Sequence, residues 1–277
     1  MEAAEVLLIA VATVFIGSAD LFGGVAARRS SPFASAAWSQ ALGVPVLFAV
    51  ALVVGGELIG RDLLLGLAAG CGAAVGVGAL YIGFTRAAMG VVAPTAATVA
   101  AGVPIIIGLV GGERPSALGL IGLALAVVAI VAVGFVPGER PTLAGIAFGG
   151  ASGVGFGTMV IAYAATTSDS GLWSAVAGRT TAALLAGIAV MAVGTDWRLT
   201  VDARLPAALS GVLAALGMAA FVTVSQTADL VVLGVALGLF PTMTVLLAAV
   251  FLKERLAPTQ WAGVALAATA VSLISVA

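Results

Sequence analysis

The sequence predicts an all-α membrane protein with ten transmembrane helices arranged as two inverted five-helix repeats, and three observations support this prediction. Of the 277 residues, 62% are hydrophobic and only 8% are charged, whereas soluble domains carry about 25% charged residues. The apolar runs are continuous and about 20 residues long, which is the length of a membrane-spanning helix. The second half of the chain also repeats features of the first.

Two other fold classes are excluded by the same pattern. A soluble protein of this length could not bury so much apolar surface. The strands of a membrane barrel are about 10 residues long and alternate apolar with polar residues. The apolar runs at 117–136 and 230–252 are longer than that and unbroken.

Charged or turn-forming breaks separate the predicted helices, each of which takes about 21 residues. The nine breaks lie at residues 28–32, 57–62, 86–90, 112–115, 137–141, 167–171, 196–206, 227–229 and 253–258. The segment MEAAEVLLIA lacks the basic region of a cleaved signal peptide, so we expect the first helix to be retained. In the ninth break, Lys253, Glu254 and Arg255 predict a turn in water, and Pro258 suits the first turn of the last helix. The loops are too short to hold a soluble domain.

An internal repeat relates the two halves of the chain. The pair Glu113-Arg114 recurs as Glu254-Arg255 at a shift of 141 residues, and a glycine follows nine residues after each glutamate. We therefore divide the chain into a first repeat, 1–137, and a second, 138–277. Because each repeat holds an odd number of helices, the copies are oppositely oriented in the bilayer. Inverted repeats are typical of secondary transporters, whose solute site lies near the midplane between the halves.

Composition excludes several kinds of site. One cysteine and no histidine exclude a disulfide framework, haem ligation and an ordinary zinc site, so we expect no metal and no cofactor. The net charge of −1 without a basic run excludes nucleic acid as a partner. Without a nucleophile and base, or paired carboxylates in one helix, we do not expect an enzyme. The glycine-rich stretch GVGFG at 153–157 lacks a preceding strand, which indicates helix packing rather than phosphate binding.

Two ionisable residues fall inside predicted helices, Asp20 in the first and Arg179 in the seventh. Such groups cost at least about 2.5 kcal/mol at the bilayer centre, so they need a reason to be there. The two lie at similar depths on opposite sides of the midplane and would form an ion pair if helices 1 and 7 are neighbours. Arg179 then anchors an anionic solute group such as a carboxylate, and Asp20 is its counter-ion or a protonatable coupling group. Alternatively the pair is static and fixes helix packing.

Other residues at similar depth are candidates for solute contact or movement. The candidate contacts are Trp38, Gln40, Tyr81, Tyr163 and Gln226. Prolines inside helices remove a backbone hydrogen bond, so the candidate hinges are Pro94, Pro104 and Pro241. Small residues at every fourth position allow close helix packing, as at Gly145, Gly149, Gly153 and Gly157. Static bends and ordinary packing remain alternatives at all of these positions.

The stretch FPTMTVLLAAVFLKERL at 240–256, followed by APTQWAG, resembles the EamA family of the drug/metabolite transporter superfamily. The resemblance covers essentially the whole chain and is strongest from residue 221 onward. It implies a ten-helix carrier that moves small organic solutes across the bacterial inner membrane, often outward. The chain departs from the family in helix 1, where FIGSAD lacks a tryptophan, and in helix 2, where Gln40 replaces a frequent arginine.

Membrane orientation has two conflicting indications. Eight Lys and Arg residues lie in loops on one side of the membrane and two on the other. The positive-inside rule then places both termini outside the cytoplasm. The family resemblance implies the opposite placement.

Three classes of function remain after these exclusions. The first is a secondary carrier of amino acids or other carboxylate-bearing solutes, with protons as the coupling ion. The second is an exporter of cationic drug-like compounds. The third is a passive facilitator or a scaffold, although a facilitator needs a more polar pore and a scaffold does not explain Asp20. Each class has a lipid bilayer as its surroundings, and the sequence does not indicate an oligomeric state.

Overall fold

The computed structural model describes residues 3–87, 89–134, 142–251 and 257–275, and their regular structure is helical throughout. The ten α-helices are α1 (Ala3–Arg29), α2 (Pro32–Val54), α3 (Gly60–Arg86), α4 (Met89–Gly111), α5 (Ala117–Gly134), α6 (Leu143–Ala164), α7 (Trp173–Val193), α8 (Val201–Ser225), α9 (Leu230–Phe251) and α10 (Pro258–Ser275). Eight of them are long and apolar enough to span a membrane, which confirms the predicted all-α membrane class. The charged turn 253–255 and the break 137–141 lie outside the described residues.

Local sequence explains where several helices begin and end. Ser31 precedes α2 and its side chain accepts a hydrogen bond from the Ala34 amide at 3.4 Å. Thr142 caps α6 in the same way at Gly145, with a distance of 3.1 Å. Gly194 ends α7 with φ of 70°, a left-handed conformation that glycine adopts without steric cost. As predicted, Pro258 opens the last helix.

The contacts between helices form the same pattern when each helix is replaced by the one five places away in the chain. The most extensive contacts join α1 to α8, α3 to α6, α4 to α6, α5 to α10 and α3 to α7. Further contacts join α2 to α7 and α8, α4 to α9, and α1 to α9. Exchanging the helices of the two halves turns each of these contacts either into itself or into another of the same set. The pair α2–α7 therefore lies against α3 and α8, and the pair α5–α10 against α4 and α9.

Helix ends meet at two opposite faces of the bundle. On the face where α1 begins, which we call the N-terminal face, Glu113 accepts hydrogen bonds from the amides of Leu230 and Val231 at 2.8 and 2.9 Å. These amides lie in the first turn of α9, which has no internal acceptors for them. The carboxylate also complements the positive end of the helix dipole. One partner of the repeated Glu-Arg pair thus ties the first half of the chain to the second.

A second carboxylate on the N-terminal face also joins the two halves. Asp62 at the start of α3 is 1% exposed. Its Oδ2 accepts hydrogen bonds from the Thr167 amide at 2.9 Å and the Thr167 hydroxyl at 2.6 Å. The sequence placed this residue in a solvated break, whereas the fold uses it to hold the loop between α6 and α7.

The glycines of α6 lie against α4, as the four-residue spacing predicted. A Cβ built at Gly153 would lie 2.5 Å from the Val99 Cβ and 2.6 Å from the Ala96 carbonyl oxygen. The GVGFG stretch is therefore part of a helix and packs against a neighbouring backbone. Gly150 lies in the same helix, and a Cβ built there would meet nothing within 4 Å.

These two glycines give a matched test of helix packing. Gly153→Ala is expected to lower the free energy of unfolding by about 1–3 kcal/mol, because the added methyl group overpacks a closed contact. Gly150→Ala should be neutral or slightly stabilising, since alanine favours helix over glycine. Unfolding of the purified protein by SDS in mixed micelles, followed by circular dichroism, measures both. Equal effects at the two positions would show that α4 and α6 are not in close contact.

Candidate functional site

Arg179 is a buried ionisable residue in the middle of α7, and it is 7% exposed. It leaves α7 and reaches between α2 and α8. Its Nη2 donates hydrogen bonds to the carbonyl oxygens of Ser39 at 3.1 Å and Gly211 at 3.3 Å. Its Nε is buried without a hydrogen-bond partner. No carboxylate among the described residues lies within salt-bridge distance of the guanidinium group.

The recess that holds the guanidinium group depends on a glycine of α2. A Cβ at Gly43 would lie 2.6 Å from Nε and 2.8 Å from the central carbon of the guanidinium group. Gly211 brings α8 equally close, because a Cβ there would lie 2.6 Å from the Ser39 carbonyl oxygen. Neither glycine was predicted from the sequence. Their role depends on which helices are neighbours, and nothing in the local sequence signals that.

Polar groups from three other helices surround this recess. The hydroxyls of Ser39 and Ser210 lie 3.0 Å apart and link α2 to α8. Tyr163 of α6 is 3% exposed, and its hydroxyl fills the space that a Cβ at Gly178, the neighbour of Arg179, would need. Gln40 follows Ser39, and its Oε1 is buried without a hydrogen-bond partner. Two buried groups therefore lack hydrogen-bond partners where α7 and α2 meet: the Nε donor of Arg179 in α7 and the Oε1 acceptor of Gln40 in α2.

Asp20 lies in a different part of the bundle, on the side of α1 that faces α9. Its carboxylate is exposed and lies 3.5 Å from the hydroxyl of Thr244. The same hydroxyl is 3.1 Å from the Phe240 carbonyl oxygen. No lysine or arginine of the described residues lies within salt-bridge distance of Asp20.

The prediction of an ion pair between Asp20 and Arg179 is therefore wrong, because the two side chains do not meet in the described structure. α1 packs on α8, α9 and α2, whereas α7 packs on α3 and α2. The guanidinium group of Arg179 is directed to the carbonyls of α2 and α8, and Asp20 faces α9. The alternative of a static ion pair that fixes helix packing is wrong for the same reason.

Two predicted contact residues lie at loops of the bundle. The indole Nε1 of Trp38 donates to the Trp197 carbonyl oxygen at 2.9 Å, and Trp38 is 41% exposed. Gln226 ends α8, where its Nε2 donates to the Gly171 carbonyl oxygen at 2.9 Å and to the Thr166 hydroxyl at 3.3 Å. Both side chains tie loops to helix ends. Tyr81 lies in α3.

The predicted hinges lie inside helices that continue through them, Pro94 and Pro104 in α4 and Pro241 in α9. The structure adds Pro45 in α2 and Pro206 in α8. The sequence placed the latter in a break, whereas α8 begins at Val201.

The backbone around this proline explains how α8 accommodates it. Pro206 has no amide hydrogen, so the Asp202 carbonyl lacks its helical donor. The Nη1 of Arg29 donates to that carbonyl oxygen at 3.2 Å. The helix can therefore begin ahead of the proline.

Comparison with known proteins adds two findings. Residues 143–276 match the family model described as "EamA-like transporter family", which confirms the resemblance over that half of the chain. A crystal structure matches the whole fold with a TM-score of 0.83 at 14% sequence identity, covering 100% of this chain and 98% of the other. No curated protein sequence matches significantly. In the part of the chain that the structure describes, no three His, Cys, Asp or Glu residues converge as a metal site would require.

Proposed function

We propose that this chain, whose residues 143–276 belong to the EamA-like transporter family, is a secondary transporter that exports small organic metabolites across the bacterial inner membrane. The family match over residues 143–276 and the eight apolar helices support a multi-pass membrane transporter.

Alternating access between two inverted repeats, 1–137 and 138–277, is the proposed mechanism. The exchange symmetry of the helix contacts supports it. So does one pair of close contacts: Gly17 meets Met243, and Gly157 meets Val103, at a shift of 140 residues for both partners. α1 begins at the N-terminal face and α6 ends there, as inversion requires. In such carriers the halves rock around a site between them, and Pro94, Pro104 and Pro241 are the proposed hinges.

The buried guanidinium group of Arg179 is the observation that carries the proposed solute class. A buried cation without a counter-ion is costly, because two neutral carbonyls replace only part of its hydration. A bound carboxylate would supply the missing charge and accept the hydrogen bond that Nε lacks. Gln40, with its unused acceptor, would then contact a donor of the solute. Amino acids and related carboxylate-bearing compounds have both groups.

Asp20 is the proposed proton-coupling group. A carboxylate inside a transmembrane helix is expensive unless it takes part in a function or finds partners. Its contact with Thr244 connects the first repeat to the second, three residues beyond Pro241. Protonation would weaken the charge-assisted component of this contact and favour movement of α9 relative to α1.

Ligand-dependent stability tests the proposed solute class. The detergent-purified protein is heated with a panel of amino acids, organic acids, sugars, nucleosides and cationic drugs. A ligand that binds the folded state at 100 times its dissociation constant adds about 2.7 kcal/mol of stability. We expect hits among compounds that bear a carboxylate, and these hits should disappear in Arg179→Ala. Stabilisation by carboxylates that persists in Arg179→Ala would contradict the anchoring role.

Export of cationic drug-like compounds is the second candidate, and the environment of Asp20 favours it. The carboxylate is exposed and has no cationic partner among the described residues, so a solute cation would be a suitable one. The same panel separates the two candidates. Hits confined to cations, retained in Arg179→Ala and lost in Asp20→Asn, would assign the site to Asp20. A passive facilitator or a scaffold would give neither pattern.

A further inference from the structure

An apolar cavity of about 290 Å³ opens between α1, α9 and α10. Its walls include Ile9 and Ala10 of α1, Leu239 of α9 and Val264 of α10. Thr13 also lines it, but the Thr13 hydroxyl donates to the Ile9 carbonyl oxygen at 2.7 Å and is therefore already satisfied. Water in this cavity would find few hydrogen-bond partners. Apolar cavities of about half this size remain dry and bind apolar molecules.

The corresponding helices in the other half of the chain, α6 and α4, are in direct contact with each other. We call the line along which two such helices meet a seam. The two pairs of helices have matching close contacts at Gly17 and Gly157, because a Cβ at these positions would lie 2.7 Å from the Met243 Cβ and 2.6 Å from the Val103 Cβ. From this shared point α6 continues toward its N-terminus with glycines that touch α4. On the N-terminal side of Gly17, α1 and α9 instead move apart, and the cavity lies between them.

Side-chain size at matched positions explains the difference between the seams. With Gly17 matched to Gly157, Thr13 corresponds to Gly153 and Ile9 to Gly149. Thr13 and Ile9 both line the cavity, and their side chains prevent α1 from approaching α9 as α6 approaches α4. The separation therefore follows from the sequence of α1, where two glycines of the repeat are replaced.

We propose that this cavity binds one acyl chain of a membrane phospholipid. α1 and α9 are long and apolar enough to span the membrane, so hydrocarbon is the medium beside the opening between them. A flexible saturated chain fits an aliphatic cavity that offers almost no hydrogen-bond partner. The two hydroxyls in its wall are too few to select a polar solute. This site is separate from Arg179, and its occupancy does not depend on the proposed transport function.

Native mass spectrometry of the delipidated protein tests the proposal. Palmitoyl-oleoyl phosphatidylethanolamine is titrated into the detergent-purified chain, and the lipid that survives collisional activation is counted. We expect one tightly held lipid per chain. Ala10→Phe fills the cavity from α1 and should weaken that binding at least about tenfold. Ala68→Phe is the matched control, because Ala68 is exposed on α3 away from the cavity and its substitution should leave binding unchanged.

A second filling variant, Val264→Trp, approaches the cavity from α10 and covers the case in which Ala10→Phe does not fold. Equal lipid retention in the wild type and in a folded filling variant would overturn the proposal. So would the absence of a tightly held lipid in the wild type. A retained mass that is not a phospholipid, and that the filling variants lose, would assign the cavity to another apolar ligand and would also overturn it.

Discussion

Arg179→Gln is expected to lower the affinity for a carboxylate-bearing solute by about 30- to 5,000-fold, which is the largest change in affinity that we expect. Removing one partner of a buried, hydrogen-bonded charge pair costs about 2–5 kcal/mol. A glutamine, Gln40, is already present in α2 next to Ser39, whose carbonyl oxygen accepts from Arg179. The substitution therefore removes the charge but keeps a polar side chain with N–H donors. Isothermal titration with the compound that stabilises the wild type measures the loss.

Protein stability separates an anchor from a structural residue. The unliganded wild type buries an unpaired cation, so Arg179→Gln should melt at the same temperature as the wild type or higher. Arg198→Gln is the matched control, because Arg198 is exposed in the loop between α7 and α8 and should affect neither binding nor melting. If Arg179→Gln unfolds, or binds the solute with unchanged affinity, Arg179 does not anchor the solute.

Asp20→Asn is expected to abolish uptake driven by a pH gradient while solute binding survives. Asparagine is close to the shape of a protonated aspartate, but it cannot release a proton. The Thr244 hydroxyl can still donate to the amide oxygen of asparagine, so the contact between α1 and α9 should persist. Proteoliposomes with an imposed pH gradient measure the coupled flux, and exchange of labelled for unlabelled solute at equal pH measures the uncoupled flux.

A surface acid provides the control for Asp20. Asp196→Asn, in the exposed loop between α7 and α8, should leave both fluxes unchanged. Asp20→Asn with normal pH-driven uptake would remove Asp20 from the coupling mechanism. Loss of both fluxes together with loss of the folded protein would instead make it a structural residue.

The positions of the helices could be predicted from the sequence alone, because the bilayer imposes a strict rule on each crossing. Each crossing needs about 20 apolar residues, and backbone groups must be satisfied within the helix. The glycine spacing on α6 was equally informative, since a stripe of small residues lets a neighbouring helix pack closely against it. Pro206 was misassigned to a loop because a proline usually marks a break. Here the Arg29 side chain satisfies the carbonyl that the proline leaves free.

The arrangement of the site could not be predicted in the same way, because it depends on which helices are neighbours. Depth in the membrane suggested that Asp20 and Arg179 meet, yet α2 and α8 supply the partners of Arg179. Gly43 creates the recess for the guanidinium group, and no local pattern marks it. Trp38 and Gln226 were placed by depth among the contact residues, but their hydrogen bonds go to loop carbonyls.

Counterflow in proteoliposomes tests the central claim of carrier transport most directly. Vesicles that contain the purified protein are loaded with unlabelled solute and diluted into a trace of labelled solute. An alternating-access carrier exchanges one for the other, so we expect the label to accumulate transiently above its equilibrium level and then decline. Label that only rises to equilibrium would indicate a passive facilitator, and uptake equal to that of empty vesicles would indicate a scaffold. Either result would contradict the account.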